Sequence, residues 1–464
     1  MRLFFFNSKR TIPSIFFLLT CITLSAQKKD IFKFQKDDSA IKVIYLKQAE
    51  NKNNALIASF KGTPNFKDYK EVFSNRVEMV NELLTCSRSV TDSIAHSYLQ
   101  RILQKITQAN PELQGLELRV FFSRDWWPNA FSLGDGTIVI NAGLFVYLEN
   151  EAELAFTLSH ELAHFYLDHG NTAIKNYVET VNSKEFQDKL KKIAKEEFRV
   201  NAKVEELTKE FAFNSRRHSR SKEIEADKQA FIFLKKSGFN TFAAKTCLSM
   251  LGKIDDSLIY KPLNLQQVFT LPDFYFNHRW IKSETTIFGK LGKNDGGITK
   301  AEKDSLKTHP DCEKRIALLQ DSLHLNSTNE NNFKIDSTLF NNLKKQFFVE
   351  IVEENYKQKN LSRNLYYSLL QLQANENKPF AIYSVQRNLL SMYEFQKSHE
   401  LGKTIDLENK YFKDDYNLLL RMISRISLNE LGELCKAFYN TFNTEMNGYN
   451  VWEELSVAIK KLNF

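Results

Sequence analysis

Proline and glycine are scarce in this 464-residue chain, at 8 and 15, while phenylalanine is abundant at 38. That balance excludes a disordered polypeptide and favours a packed, largely helical one. Cysteine is scarcer still. Of five, Cys21 falls in the leader described below, and Cys86, Cys247, Cys312 and Cys435 match neither a zinc ribbon nor a CxxC redox pair. Four in so long a chain make no disulfide scaffold, even in a compartment that permits disulfides, so free thiols or core residues are expected. One-sided charge is absent too. The 64 basic and 56 acidic residues leave +8, with lysine and glutamate intermixed. This is a solvated surface and not a nucleic-acid footprint, although weak attraction to an anionic membrane stays open. After residue 27 no apolar run approaches the roughly 20 residues a bilayer span needs, so the mature protein is expected to be soluble. Length alone predicts at least two domains.

What is present begins with a leader. Arg2, Lys9 and Arg10 precede an apolar stretch, Ile12 to Leu24, and Leu24-Ser25-Ala26 offers cleavage before Gln27. Residues 1–26 therefore read as an export signal. A membrane anchor would need a longer apolar run. A lipoprotein attached through Cys21 is the other alternative, and Thr20 is larger than that processing usually accepts.

Histidine is rare, nine in all, yet His160, Glu161 and His164 form an HExxH sequence. Chance would produce this in roughly one such chain in a hundred. Asn150 is a candidate N-cap, Glu153 stands where a capping box would place a carboxylate, and Gly170 is a natural stop. The segment between predicts one helix. Its two histidines then lie one turn apart on one face, with Leu154, Leu158, Leu162 and Phe165 on an adjoining buried face. Two imidazoles so placed can hold zinc, with Glu161 positioned to take a proton from water. The plainer reading is two histidines on the surface of an amphipathic helix.

Before this helix, Ile41 to Leu46 reads as a strand, and Lys67 onward and Ser93 to Ala109 as helices, the latter ending at Asn110-Pro111. Leu116 to Phe122 alternates as a strand. Asn129 to Asn141 reads as a hairpin turning at Gly134-Asp135-Gly136, either plain sheet or an edge for an extended peptide. After it, Asn171 to Phe213 predicts a solvated helical excursion. Ser219 to Asn240 predicts a second helix stopped by Gly238. A zinc site that keeps one position open needs a third protein ligand. On that second helix Glu223 and Asp227 share a face: Glu223 can reach the metal, and Asp227 can accept the other ring N–H of a ligating histidine. Glu225 points elsewhere, toward solvent.

With these pieces in hand, Val90 to Leu319 resembles peptidase family M48, among the gluzincins. The resemblance rests on NAFSLGDGTIVINAGL, HELAHF…DHG, SRSKEIEADKQA and KTHPDCEKRIALL, in that order. It implies that His160, His164 and Glu223 bind one Zn2+ and that Glu161 is the general base. His309 would fold back as a displaceable fourth ligand or as a donor to the oxyanion, and Arg315 would anchor substrate or brace the site. His169 also falls at a family position, structural or catalytic. Asp168 departs from the basic residue often found there. The family's integral-membrane branches carry several spans that this chain lacks. The resemblance is therefore to the exported bacterial branch, which acts in the periplasm, or at the periplasmic face of the outer membrane and its assembly machinery, on misassembled proteins.

Pro262 to Thr308, with its aromatic patch and glycines, reads as a flexible cover carrying His309 toward the zinc. Leu323 to Ser337 is polar and reads as a linker, and beyond it the chain turns helical without a fixed repeat period. The expected organisation is a signal (1–26), an N-terminal extension (27–89), a zinc metallopeptidase domain (90–322), a linker (323–338) and a helical C-terminal domain (339–464), repeat-like or an irregular bundle. The expected fold class is mainly α (α+β), a small β-sheet standing beside the HExxH helix. The expected function is a zinc endopeptidase acting on unfolded or misassembled envelope proteins. The rivals are an envelope assembly or binding factor working through its C-terminal helices with a silent metal site, and a zinc hydrolase of small substrates.

Overall fold

The computed structural model describes residues 30–194, 220–255, 262–282, 312–323, 331–409 and 412–462. The leader, Cys21, His309 and the cover beyond residue 282 lie outside them, as does the helical excursion beyond residue 194. The protein is mostly α-helical, with a small mixed sheet and an all-α C-terminal region.

The sheet has the order β1 (Ser89–Val90), β2 (Arg119–Ser123), β4 (Thr137–Asn141), β3 (Ala130–Ser132). β2 and β4 run parallel, Phe121 opposite Val139, and the outer pairs are antiparallel. Side chains alternate between faces along a strand. Val120, Phe122, Ile138 and Ile140 join the main core, while Phe121 and Val139 meet Ala49, Val80 and Leu84 on the other side. Both faces are covered, which is why these strands read as continuous apolar runs. At the hairpin turn Gly136 has φ +95, and a Cβ there would collide with the Glu117 carbonyl oxygen.

The cover on the sheet's outer face corrects one expectation. Ile41 to Leu46 is not a strand but part of a helix, Ser39–Ser59, whose N-cap Asp38 accepts from Ala40 N at 2.8 Å. Val43 and Ile44 are left exposed, at 67% and 53%. β-Branched residues favour strands, but Tyr45, Leu46 and Ala49 at helical spacing fit the sheet, and that burial decides.

The HExxH helix, Glu151–Tyr166, sends Leu154, Leu158 and Leu162 into the main core. Ser337–Lys357 reaches the same core with Phe340, Leu343, Phe347 and Ile351, and turns Val349 and Val352 toward Phe380. Packing therefore does not divide between 338 and 339; this helix is a shared wall. Nor are residues 331–336 a loose linker. The fully buried Glu151 carboxylate accepts from Lys334 N, Ile335 N and Asp336 N at 2.6, 2.7 and 2.7 Å, and from the Tyr98 hydroxyl at 2.9 Å.

The described part of the expected cover is not a cover. Leu263, Leu265, Phe269, Phe274, Phe276 and Trp280 are buried in a second core with Leu365, Leu369, Val385 and Leu419 of the C-terminal helices. Burying each such side chain gains about 1.5–3 kcal/mol, enough to fix the segment there. Among the described residues no disulfide joins Cys86, Cys247, Cys312 or Cys435, and no helix is long and apolar enough to cross a membrane.

Candidate metal centre

The HExxH helix starts where Asn150 Oδ1 accepts from Glu153 N at 3.0 Å. The Glu153 carboxylate closes not on Asn150, as a capping box would, but on Glu149 N at 2.7 Å. From Glu151 to Ala163 every residue is buried, so this is a central helix and its histidines are no surface pair. The helix stops at Tyr166 because Asp168 adopts a left-handed conformation, φ +53. Gly170, expected as the stop, lies in the next helix, His169–Asn182; a Cβ there would stand 3.1 Å from Gly134 Cα, so its smallness serves the hairpin turn.

His160 and His164 bring their Nε2 atoms 3.1 Å apart. A helix over 220–236 delivers Glu223, with Oε2 3.5 Å from His160 Nε2 and Oε1 3.3 Å from His164 Nε2. Tetrahedral zinc with bonds of about 2.0–2.2 Å has ligand–ligand edges of roughly 3.3–3.5 Å, so the three residues fit the ion. They are also a His-His-Glu cluster whose donor atoms all lie within 4.8 Å of one another.

Asp227, one turn beyond Glu223, puts Oδ1 3.0 Å from His160 Nδ1, with the ring N–H off the line. Arg315 arrives on the helix Cys312–Leu323. Its Nε and Nη2 donate to the two Asp227 oxygens at 2.6 and 2.7 Å, and Nη1 stands 3.1 Å from Glu223 Oε2. Of the two roles implied for Arg315, its buried, bidentate geometry is that of a brace. The fork on Asp227 is made by two hydrogen bonds, while Nη1 faces Glu223 as an ion pair without one.

The electrostatics follow from these contacts. Burial works against a charged His160 ring, but Asp227 and Glu223 outweigh it and raise the ring to about 10. A proton thus occupies, in the ion-free protein, the place a cation would take. Burial alone would raise Glu223 and Asp227. The hydrogen bonds of His160 and His164 hold Glu223 well below the usual carboxylate range, and Arg315 and His160 lower Asp227. Glu161, buried beside these charges, is raised by desolvation, with His160 and His164 tempering the shift.

Two residues went unlinked in the sequence. Glu225 is exposed, as its spacing implied, yet its Oε2 lies 3.3 Å from His169 Nε2, and His169 Nδ1 lies 3.0 Å from His164 Nδ1. His169 comes five residues after His164, across a left-handed residue, so helical periodicity could not place it beside that ring.

Residues 93–323 match the model of peptidase family M48, and no curated protein matches the chain. The chain thus carries an M48 domain with the His/Glu metal-binding triad of a zinc metalloendopeptidase.

Proposed function

We propose that this chain, with its M48 metallopeptidase domain, is an exported endopeptidase that uses one zinc ion to cut unfolded or misassembled proteins of the cell envelope, in protein quality control. The observation that carries the reading is the convergence of His160 Nε2, His164 Nε2 and the Glu223 carboxylate at 3.1, 3.5 and 3.3 Å, with buried Glu161 beside them. Export rests on the leader at residues 1–26, and a place near the outer membrane and its assembly machinery rests on the family resemblance.

Bound there, zinc would polarise a scissile carbonyl and acidify water. The remaining work belongs to side chains. Arg315 and Asp227 hold Glu223 and His160 in place. Burial raises the affinity of the Glu161 carboxylate for a proton toward the working pH, which suits a general base. A Glu161 oxygen takes the proton of the attacking water and returns it to the leaving amine nitrogen. β3 ends the sheet, so its outer backbone edge can pair with an extended peptide beside the HExxH helix. That edge supports a protein substrate over a small amide.

Metal analysis and degradation of an unfolded protein by wild type and Glu161→Gln test the reading. One zinc per chain in both is expected, with the variant's rate lower by about 10²–10⁴-fold. Equal rates, or full function of the variant in cells, would favour the non-proteolytic assembly factor. Cleavage of short amides but not proteins would favour a small-substrate hydrolase. Fractionation of cells tests export.

A further inference from the structure

Each histidine of the triad can offer Nε2 to a metal only if its proton sits on Nδ1, and the protein sets two unlike groups beside that nitrogen. At His160 the group beside Nδ1 is the Asp227 carboxylate, 3.0 Å away, with the N–H off the line between them. At His164 it is another imidazole: His169 Nδ1 lies 3.0 Å from His164 Nδ1. Two ring nitrogens at that distance share one proton, and the far end of the chain of contacts decides which ring holds it. Glu225 Oε2 stands 3.3 Å from His169 Nε2, and an ionised carboxylate only accepts. His169 Nε2 must therefore carry hydrogen. In a neutral ring this leaves His169 Nδ1 bare, able to accept, and His164 Nδ1 is the donor. Once an ion replaces the hydrogen bond between His164 Nε2 and Glu223, that Nε2 is then bare as well, facing His160 Nε2 and Glu223.

We propose that His169, oriented by Glu225, is a positioning residue that fixes His164 in the tautomer that offers Nε2 to zinc. The proposal rests on the metal reading above and deepens it. The surrounding backbone is built for this contact. Left-handed Asp168 turns the chain so that a ring five residues beyond His164 comes back alongside it, the two rings meeting edge-on at 5.0 Å. Lys222, from the helix that carries Glu223, donates from Nζ to the His169 carbonyl at 3.0 Å and ties the two helices at this point. His169 is buried, so water does not compete freely for its Nδ1. A ring that merely filled space would be indifferent to the acceptor at that position.

Zinc dissociation constants, from competition with a chelator, would be measured for wild type, His169→Phe, His169→Asn and Glu225→Gln, each checked for folding by circular dichroism. Phenylalanine keeps the ring's bulk without an acceptor; asparagine returns an amide oxygen near the Nδ1 position. Loss of an outer partner of a metal ligand costs about 10–100-fold in affinity, and His169→Phe should show that loss. His169→Asn should recover most of it, and Glu225→Gln, at an exposed position, should lose less. Unchanged affinity in His169→Phe overturns the proposal, as does equal weakening in His169→Phe and His169→Asn. A wild type that retains no zinc would overturn the metal reading itself, a result distinct from either. A readout independent of the variants is the long-range nitrogen–proton spectrum of zinc-loaded wild type with labelled histidine. Hydrogen on His164 Nδ1 is expected, and a bare Nδ1 would sink the assignment.

Discussion

The metal centre and the helix pair Leu361–Ala374 and Lys378–Lys397 both bury polar side chains, but of different kinds. Around the metal they are ionisable: His160, Glu161, Asp227 and Arg315. Between the paired helices they are neutral. Asn388 Nδ2 donates to Asn364 Oδ1 at 2.7 Å, Asn364 Nδ2 to the Val352 carbonyl at 2.8 Å, and Ser368 Oγ to Ser384 Oγ at 2.8 Å. A neutral amide can be satisfied by one or two neighbours, wherever the helices need a fixed register. A buried charge needs a full counter-charge, so a charged cluster must be complete or be missing something. Asp227 and Arg315 cancel, leaving Glu223 and Glu161. In the ion-free protein the proton on His160 offsets part of that remainder, and a cation can take its place; among the described residues no buried charge is left over between the paired helices.

The comparison is broken most severely by removing a charge. Arg315→Leu strands Asp227 and Glu223 without their cation, and leaving buried ions unpaired costs about 3–5 kcal/mol. Denaturant unfolding of the zinc-free protein should show that loss. The double variant with Asp227→Asn should be less damaged than the two single losses predict, because the groups form one unit. Simple additivity would mean that the brace is not a brace.

A gentler probe is pH. In ion-free protein the His160 ring titrates at about 10, above its unfolded value of 6.5. A raised folded value stabilises fully below 6.5, and the stability is lost as pH climbs through 10. Zinc-free protein should therefore lose on the order of a few kcal/mol between pH 7 and 10.5. With zinc in the proton's place, that share of the loss should vanish, and identical pH profiles with and without zinc would contradict it. In the C-terminal helices Asn388→Ala removes a neutral partner from Asn364 and the Leu361 carbonyl, and should cost about 1–3 kcal/mol with zinc affinity untouched.

The two regions also differ in how far they could be read in advance. His160 with His164 and Glu223 with Asp227 sit one helical turn apart, so periodicity alone puts each pair on a face. The contact of Arg315 with Asp227 spans 88 residues, and no local pattern carries it. The aromatic run from Phe269 to Trp280 has no helical or strand period. It looked like a surface cover because its burial partners, Leu365 and Leu419 among them, lie far on along the chain, in the C-terminal helices. Residues 331–336 looked like a linker because they are polar, yet their backbone N–H groups are what Glu151 needs. The β-branched Ile41 to Leu46 stretch failed for the opposite reason: local preference was legible and tertiary packing overrode it.

The smallest test sets a cap in each region against the other. Asn150 caps the HExxH helix, and Ser427 with Glu430 forms a capping box on Leu428–Phe442. Replacing a cap by alanine costs typically about 1 kcal/mol. The two sites are not equally exposed to that loss. One residue past Asn150, the Glu151 carboxylate holds three backbone N–H groups and the Tyr98 hydroxyl, and the helix it begins is buried on every side. The helix start therefore has a second anchor that does not depend on Asn150. Ser427 is solvent-exposed and its side chain bonds to Glu430. The partly buried Glu430 carboxylate also accepts from Arg279 Nη2 and Trp280 Nε1, but neither bond reaches the backbone N–H groups that Ser427 caps. Asn150→Ala should fall at or below the typical cost, with zinc affinity unchanged, and Ser427→Ala should meet it in full, both by thermal unfolding. Weaker zinc binding in Asn150→Ala would mean that the histidine pair is held by the helix's own end rather than by the charges around it.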